Sequence, residues 1–223
     1  MGEAQQKLPP SASLGPAAFP AFGAQLLALA TRATHGGPRR RLAIGPLDLT
    51  LAASDPGLLR DFTRGLADLP PPPGSPREAL TLHLLAGAAM DTPPPPAWPL
   101  PTLQHQHQRR LHLAPDLRLF SWNDGAVWQL HDPRAHAAVY WASRREAIPE
   151  WDYGAPLRNL LAWALHDSGR LLLHGAVMGD SRGALLVAGA GGAGKSSTTL
   201  AALRHAGLRT VGDDFVAVAP DGT

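Results

Sequence analysis

No cysteine occurs among the 223 residues, so disulfides, thiolate metal sites and a cysteine nucleophile are excluded. Long apolar runs are also absent, because no stretch reaches the roughly 18 consecutive apolar residues of a membrane helix. The apolar segment 22–30 is too short for a secretory signal and follows a proline-rich polar stretch. These absences predict a cytoplasmic protein that does not enter a membrane.

A large net charge is missing too, since the formal value is only +2. The longest basic run, Arg39-Arg40-Arg41, is too short to follow a nucleic-acid backbone and is typical of a solvated loop. Lysine is scarce, because only Lys7 and Lys195 among the 20 basic residues are lysines. The sequence therefore predicts no nucleic-acid partner.

Glycine and proline are plentiful, with 23 of each, and they divide the chain into segments. Residues 1–22, rich in Pro, Ala, Gln and Ser, are predicted to form a loose N-terminal arm. An accessory α+β domain is predicted over 23–150 and a second domain over 151–223. No internal repeat is present.

The accessory region shows strand and helix signals between its proline tracts at 70–73 and 93–96. Short strands are predicted at 42–44, 47–51 and 79–85, and a helix is predicted after Asp55-Pro56. From 117 to 142 apolar and polar residues alternate around the turn signal Asn123-Asp124-Gly125. This alternation predicts an antiparallel meander.

The second domain has a different pattern. A helix is predicted at 155–166 from the spacing of its leucines, and a strand is predicted at 171–178. After a tight turn at 179–183, the short apolar run 185–188 predicts a strand buried on both faces.

The segment Gly189 to Ser196 carries the strongest chemical signal. It matches the Walker A pattern, in which Gly is followed by four residues and then Gly-Lys-Ser. Glycines let successive backbone N–H groups turn towards phosphate oxygens, a lysine places a cation on the phosphates, and a serine hydroxyl can bind magnesium. The helix predicted after Lys195 aims its positive end at the same anion. A glycine-rich turn without a ligand is the weaker alternative.

Asp213-Asp214 and His174 are two further candidate site features, and their interpretation depends on this loop. Asp213-Asp214 alone is more often a solvated turn, but it follows the loop by one helix and one strand. In a parallel sheet that order would bring the two strand ends together, and magnesium would relieve the repulsion of the carboxylates. His174 alone is more often a satisfied core histidine. The histidines 105, 107 and 112 lack partners at metal-ligand spacing.

Taken in order, His174-Gly175, the Walker A loop and Gly212-Asp213-Asp214 resemble the catalytic domain of HPr kinase/phosphorylase and its serine kinase relatives. That family is similar in fold to the ATP-dependent phosphoenolpyruvate carboxykinases. The resemblance covers about 170–220 and completes the predicted fold class. This is an α/β chain with an N-terminal α+β region and meander, followed by an incomplete P-loop HPr kinase-like domain.

The resemblance implies a serine kinase that uses ATP and Mg2+ and acts on a protein or peptide carrying the acceptor serine. Asp213 would be the catalytic base, His174 would lie beside it, and Lys195 would act on the phosphates. Ser196 and Asp214 would hold the metal. The implied nucleotide-binding residues are Gly189, Gly191, Gly192, Ala193, Gly194, Lys195, Ser196 and Ser197.

Two departures from the family shape the alternatives. Ser197 stands where HPr kinases carry an acidic residue, which implies an acceptor other than HPr. The family domain continues well past its paired aspartates, whereas Pro220-Asp221-Gly222 is a turn signal just before the last residue. The expectation is a fragment or an inactive chain. A non-catalytic nucleotide-binding module and a small-molecule kinase remain open, as does a homo-oligomer.

Overall fold

The computed structural model describes residues 18–66, 78–88, 110–122, 125–204 and 207–220. In these ranges the chain forms two β-sheets and five α-helices, so the mixed α/β character predicted from the sequence is confirmed. No helix in the described part of the chain is both long and apolar enough to cross a membrane.

Seven strands make up the first sheet. Their bounds in chain order are β1 (Arg39–Ile44), β2 (Leu47–Ala53), β3 (Glu78–Ala86), β4 (Arg110–Ala114), β5 (Leu117–Trp122), β6 (Val127–Asp132) and β7 (Ala137–Ala142). Across the sheet they lie in the order β1, β2, β3, β7, β6, β5, β4. The pairs β2–β3 and β3–β7 are parallel and the others antiparallel. Strands β5 to β7 confirm the predicted meander.

Several sequence predictions fall on residues outside the described ranges. These are the proline tracts at 70–73 and 93–96, the turn residues Asn123 and Asp124, and positions 1–17 of the arm. Strands β1, β2 and β3 overlap the strands predicted at 42–44, 47–51 and 79–85, whereas β4 was not predicted. Strand β1 begins at Arg39, so the arginine run predicted as a loop lies in a strand.

A side-chain cap starts the helix between β2 and β3. Helix α2 (Pro56–Thr63) follows Asp55, whose Oδ1 accepts a hydrogen bond from the Leu58 amide at 2.8 Å. The cap satisfies one of the free N–H groups of the first turn, and proline is tolerated there because it has no N–H to lose. The helix start predicted at Asp55-Pro56 is therefore confirmed.

Helix α1 (Ala18–Ala33) covers one face of the first sheet. Phe19, Phe22 and Leu26 are buried, and the Phe22 ring lies 4.8 Å from that of Trp128. The predicted loose arm therefore ends too late at residue 22, because this spacing of apolar side chains forms a helix face from Ala18 onward.

Two helices from the predicted second domain cover the opposite face, together with α2. They are α3 (Glu150–Gly154) and α4 (Arg158–Asp167), and Leu160, Leu161 and Leu165 belong to the core of the first sheet. Helix α4 starts three residues later than predicted because Leu157, after Pro156, has a left-handed backbone with φ 60°. The predicted boundary at 150 thus precedes helices that pack on the first sheet.

The second sheet surrounds one long strand. Its elements are β8 (Leu171–Asp180), β9 (Gly183–Ala188), β10 (Arg209–Gly212) and β11 (Phe215–Val218), with α5 (Lys195–Ala202) between β9 and β10. Strand β8 pairs antiparallel with β9 on one side and with β10 and then β11 on the other, since Val177 has partners on both sides.

Two expectations about this sheet are wrong. The apolar run 185–188 is not buried on both faces, because β9 lies at an edge, and Leu185 and Leu186 are 62% and 38% exposed. The second sheet is also not a parallel sheet, because β9 and β10 each pair antiparallel with β8. An apolar composition indicates a strand here, but burial depends on neighbours that a local pattern does not specify.

Candidate functional site

The glycine-rich loop lies between β9 and α5, in the strand, loop and helix order that a Walker A motif requires. Gly192 and Gly194 have φ angles of 79° and 87°, a region that side chains disfavour. The Ala193 amide donates to the Ala190 carbonyl at 3.1 Å, which closes a turn. Glycines are therefore needed at these positions for the loop to curve.

The side chain of Lys195 folds back against the loop. It is 8% exposed, and Nζ donates hydrogen bonds to the Gly189 carbonyl at 2.8 Å and the Ala190 carbonyl at 3.1 Å. An ammonium group has three donors, so one N–H is left for a further acceptor. The cation and the curved backbone therefore form one unit.

The other loop residues are open to solvent. Gly191, Gly192, Ala193 and the hydroxyl residues Ser196 and Ser197 are exposed. Ser196 and Ser197 occupy the first turn of α5, where backbone N–H groups lack partners in the helix. A ligand could therefore reach the loop and the start of the helix from outside.

Strand β8 brings the loop and the aspartates to one place. Gly175 pairs with Ala188 on one side, and its amide donates to the Asp214 carbonyl at 3.0 Å on the other. Neighbouring strands are about 4.8 Å apart, so the start of the loop and Asp214 are separated by two strand spacings, about 10 Å. The backbones approach closely here, since an added Cβ on Gly175 would lie 3.0 Å from the Val187 carbonyl oxygen.

The carboxyl ends of β9 and β10 lie on the two sides of β8, although the sheet is not parallel as expected. Strands β9 and β10 are both antiparallel to β8, so they run parallel to each other on its two sides. Their carboxyl ends, at Ala188 and Gly212, lie opposite Gly175 and Val177. The loop and the paired aspartates follow those ends, although the sheet is antiparallel.

The His174 ring contacts the second aspartate. Its Nε2 lies 3.1 Å from Asp214 Oδ1, and its ring stacks on Phe215 with centroids 5.3 Å apart. The resemblance placed His174 beside Asp213, whereas the contact in the structure is with Asp214. Both side chains are about half exposed, so the contact adds little stability and mainly fixes orientation.

The first aspartate has a free carboxylate. Asp213 is exposed, and its side chain makes no hydrogen bond or ion pair with the residues that the structure describes. It is therefore available to an incoming group. Sequence reasoning found both aspartates but not which one contacts the histidine.

A hard cation is compatible with these side chains. The described residues contain no group of three or more His, Asp and Glu that could hold a metal unaided. Magnesium usually takes one or two protein oxygens and completes its octahedron with phosphates and water. The Ser196 hydroxyl and an Asp214 carboxylate oxygen are donors of that kind, so they fit a metal that arrives with a nucleotide.

A second polar cluster, which the sequence did not reveal, lies on the first sheet. The guanidinium of Arg118 donates to both carboxylate oxygens of Asp167, at 2.5 and 2.7 Å, and lies 3.2 Å from His131 Nδ1. Burial lowers the pKa of His131 to about 4, with Arg118 acting in the same direction and Asp167 opposing it. These groups satisfy one another, so the cluster joins α4 to the sheet rather than forming an open site.

No family model, curated protein or solved structure matches the chain. The function must therefore be argued from the loop, from His174 and from the two aspartates. These residues belong to separate elements, and their assembly around β8 is more specific than the loop alone.

Proposed function

We propose that the second sheet binds ATP with magnesium and transfers the γ-phosphate to a serine hydroxyl of a protein or peptide. The observation that carries the proposal is the arrangement around Gly175. A Walker A loop begins on one side of this residue, and a carboxylate pair lies on the other. A glycine-rich turn without a ligand would not need the aspartates there.

The loop would hold the phosphates. The backbone N–H groups of Gly191, Gly192 and Gly194 and the start of α5 would supply an anion site, and the remaining N–H of Lys195 would reach a phosphate oxygen. Because two loop carbonyls already orient the ammonium, little side-chain freedom is lost on binding. Gly189 and Ala190 thus contribute through their carbonyls, and Ser197 flanks the site.

The aspartates would divide the chemistry. Ser196 and Asp214 would hold magnesium, which neutralises charge on the phosphates, and His174 would keep the Asp214 carboxylate in place. The serine oxygen attacks the γ-phosphorus, the bond from that phosphorus to the bridging oxygen breaks, and ADP leaves. Asp213, whose carboxylate is free, accepts the serine proton.

A second candidate is a nucleotide-binding module that does not transfer phosphate. The observation that favours it is the openness of the site, since the loop, His174 and both aspartates are exposed. Phosphoryl transfer to a serine is favoured where water is excluded. An exposed site can still bind a nucleotide and signal its presence to a partner.

Titration calorimetry with ATP and MgCl2, followed by γ-labelled ATP and serine peptides, tests both candidates. We expect Lys195→Ala to weaken ATP binding by about 30-fold or more, because charge-assisted hydrogen bonds to phosphate are lost. Asp213→Asn should bind ATP like the wild type but transfer no label. The matched control is Arg182→Ala, which removes an exposed cation paired with Asp180 in the β8–β9 turn.

The outcomes separate the proposals. A wild-type protein that binds no ATP contradicts both candidates. Binding without transfer to any peptide contradicts the transfer to a protein or peptide serine and favours the non-catalytic module. Equal loss of binding in Lys195→Ala and Arg182→Ala would show that the loop lysine has no special role.

A further inference from the structure

A β-bulge in β10 sets the position of the two aspartates. Arg209 and Thr210 pair with Gly179 and Met178, but the next pair joins Gly212 to Val177. One residue, Val211, is therefore extra on β10. Bulges bend a strand and redirect its side chains, and they are frequent beside functional sites.

The register stays regular after this point. Gly212 lies opposite Val177 and Phe215 lies opposite His174, with three steps on each strand. Counting between these pairs places Asp213 opposite Ala176 and Asp214 opposite Gly175. The hydrogen bond that the Gly175 amide donates to the Asp214 carbonyl agrees with this register.

Without the bulge, every later residue would move by one position. Asp213 would lie opposite Gly175 and Asp214 opposite His174. Because side chains alternate between the two faces of a strand, a shift of one residue also moves each carboxylate to the other face. The bulge thus places Asp214 opposite Gly175 instead of His174, and Asp213 opposite Ala176 instead of Gly175.

The Thr210 hydroxyl bridges this irregularity. It lies 2.7 Å from the Val177 carbonyl oxygen, to which it donates, and it can accept from the Gly212 amide at 3.3 Å. The Gly212 carbonyl oxygen, at 3.1 Å, is an alternative acceptor. Val177 is the β8 residue opposite Gly212, so the hydroxyl ties β8 to β10 where the register changes.

We infer that Thr210 is a positioning residue, which holds the bulge and thereby sets the register of Asp213 and Asp214 against β8. The inference rests on the proposed function, because it assigns those aspartates to magnesium and to the acceptor serine. Threonine differs from valine by one hydroxyl in place of a methyl group, so the contribution of the hydroxyl can be isolated.

The experiment compares Thr210→Val with Thr210→Ser in the full chain. ATP affinity is measured by calorimetry with and without MgCl2, and amide hydrogen exchange of the ligand-free protein is followed at Gly175 and Gly212. In Thr210→Val the ATP affinity without metal should stay within about twofold of the wild type, and MgCl2 should no longer raise it. The amide hydrogens of Gly175 and Gly212 should exchange about tenfold faster. Thr210→Ser should restore both properties because it retains the hydroxyl.

The two measurements fail in distinguishable ways. A wild type without ATP affinity contradicts the proposed function, and exchange at Gly175 and Gly212 then still tests whether Thr210 holds the bulge. If magnesium raises the ATP affinity of the wild type and of Thr210→Val equally, the inference about Thr210 is wrong, whereas the proposed function is not contradicted. A wild type that binds ATP without any gain from magnesium overturns it as well, and so does unchanged exchange in Thr210→Val.

Discussion

The first and second sheets differ in how much of their apolar surface is covered. Helices pack on both faces of the first sheet, and Leu82, Trp128 and Tyr140 are fully buried there. In the second sheet and α5 the large apolar side chains are often exposed. Of the six exposed ones in the described residues, four lie there, namely Leu171, Leu185, Leu186 and Leu200, and Leu203 directly follows α5.

Polar groups show the same contrast. In the first sheet Tyr140 donates to Asp152 at 2.5 Å, and both are buried, which raises the pKa of each. In the second sheet the His174–Asp214 pair is half exposed. Folding stability should therefore come mainly from the first sheet, while the candidate ligand residues can be changed with little effect on it.

The largest expected effect comes from one leucine in each sheet. Leu82→Ala should lower the free energy of unfolding by about 2–5 kcal/mol, because it leaves a cavity in a closed core. The matched change Leu185→Ala, in exposed β9, should alter it by less than about 0.5 kcal/mol. Urea unfolding followed by tryptophan fluorescence measures both.

Equal losses of unfolding free energy in the two variants would contradict this difference between the sheets. They would mean that β9 is covered in solution and contributes to the same cooperative unit. A loss only in Leu82→Ala would confirm that the second sheet adds little to global stability.

The next effect concerns pH. Burial lowers the pKa of His131 to about 4 in the folded chain, below the ordinary value of 6.5. The unfolded chain therefore binds more protons between these values, so stability is complete above about pH 6.5 and is lost as the pH falls towards 4. The loss from this group is on the order of 3 kcal/mol.

Chemical unfolding at several pH values, compared with His131→Gln, isolates this effect. Glutamine keeps a polar side chain at the position but does not titrate. The difference between the two proteins should change with pH over this range, and a constant difference would show that His131 is not held neutral. The raised pKa of Asp152 is common to both proteins and cancels.

Local signals explain which parts of this fold could be predicted. The Asp55 cap, the alternation in the meander and the glycines of the loop each act within a few residues, and the structure follows them. The exposure of β9 could not be predicted, because the short apolar run 185–188 does not reveal whether a neighbouring strand covers it.

The candidate site also has features that the sequence predicts and features that it does not. Lys195, Ser196 and the two aspartates were identifiable because their spacing reflects chemistry. The positions of Asp213 and Asp214 opposite Ala176 and Gly175 depend on the one-residue bulge after Thr210. That bulge is held by a contact with Val177, 33 residues away in the chain, and no pattern in a single sequence reports such a contact.

The smallest effect concerns two polar contacts, His174–Asp214 in the second sheet and Arg118–Asp167 beside the first. Removing the His174–Asp214 contact by His174→Ala should change the free energy of unfolding by less than about 1 kcal/mol, because both groups are half exposed. Arg118→Met should cost about 1.5–3 kcal/mol, since it deprives Asp167 of two charge-assisted hydrogen bonds at a largely buried site. Urea unfolding at pH 7.5 gives both values.

If His174→Ala were the more destabilising variant, the second sheet would depend on its exposed polar contacts for folding. Exposure of its residues would then not be evidence that they bind a ligand. If the order is as expected, a loss of magnesium-dependent ATP binding in His174→Ala can be attributed to the orientation of Asp214.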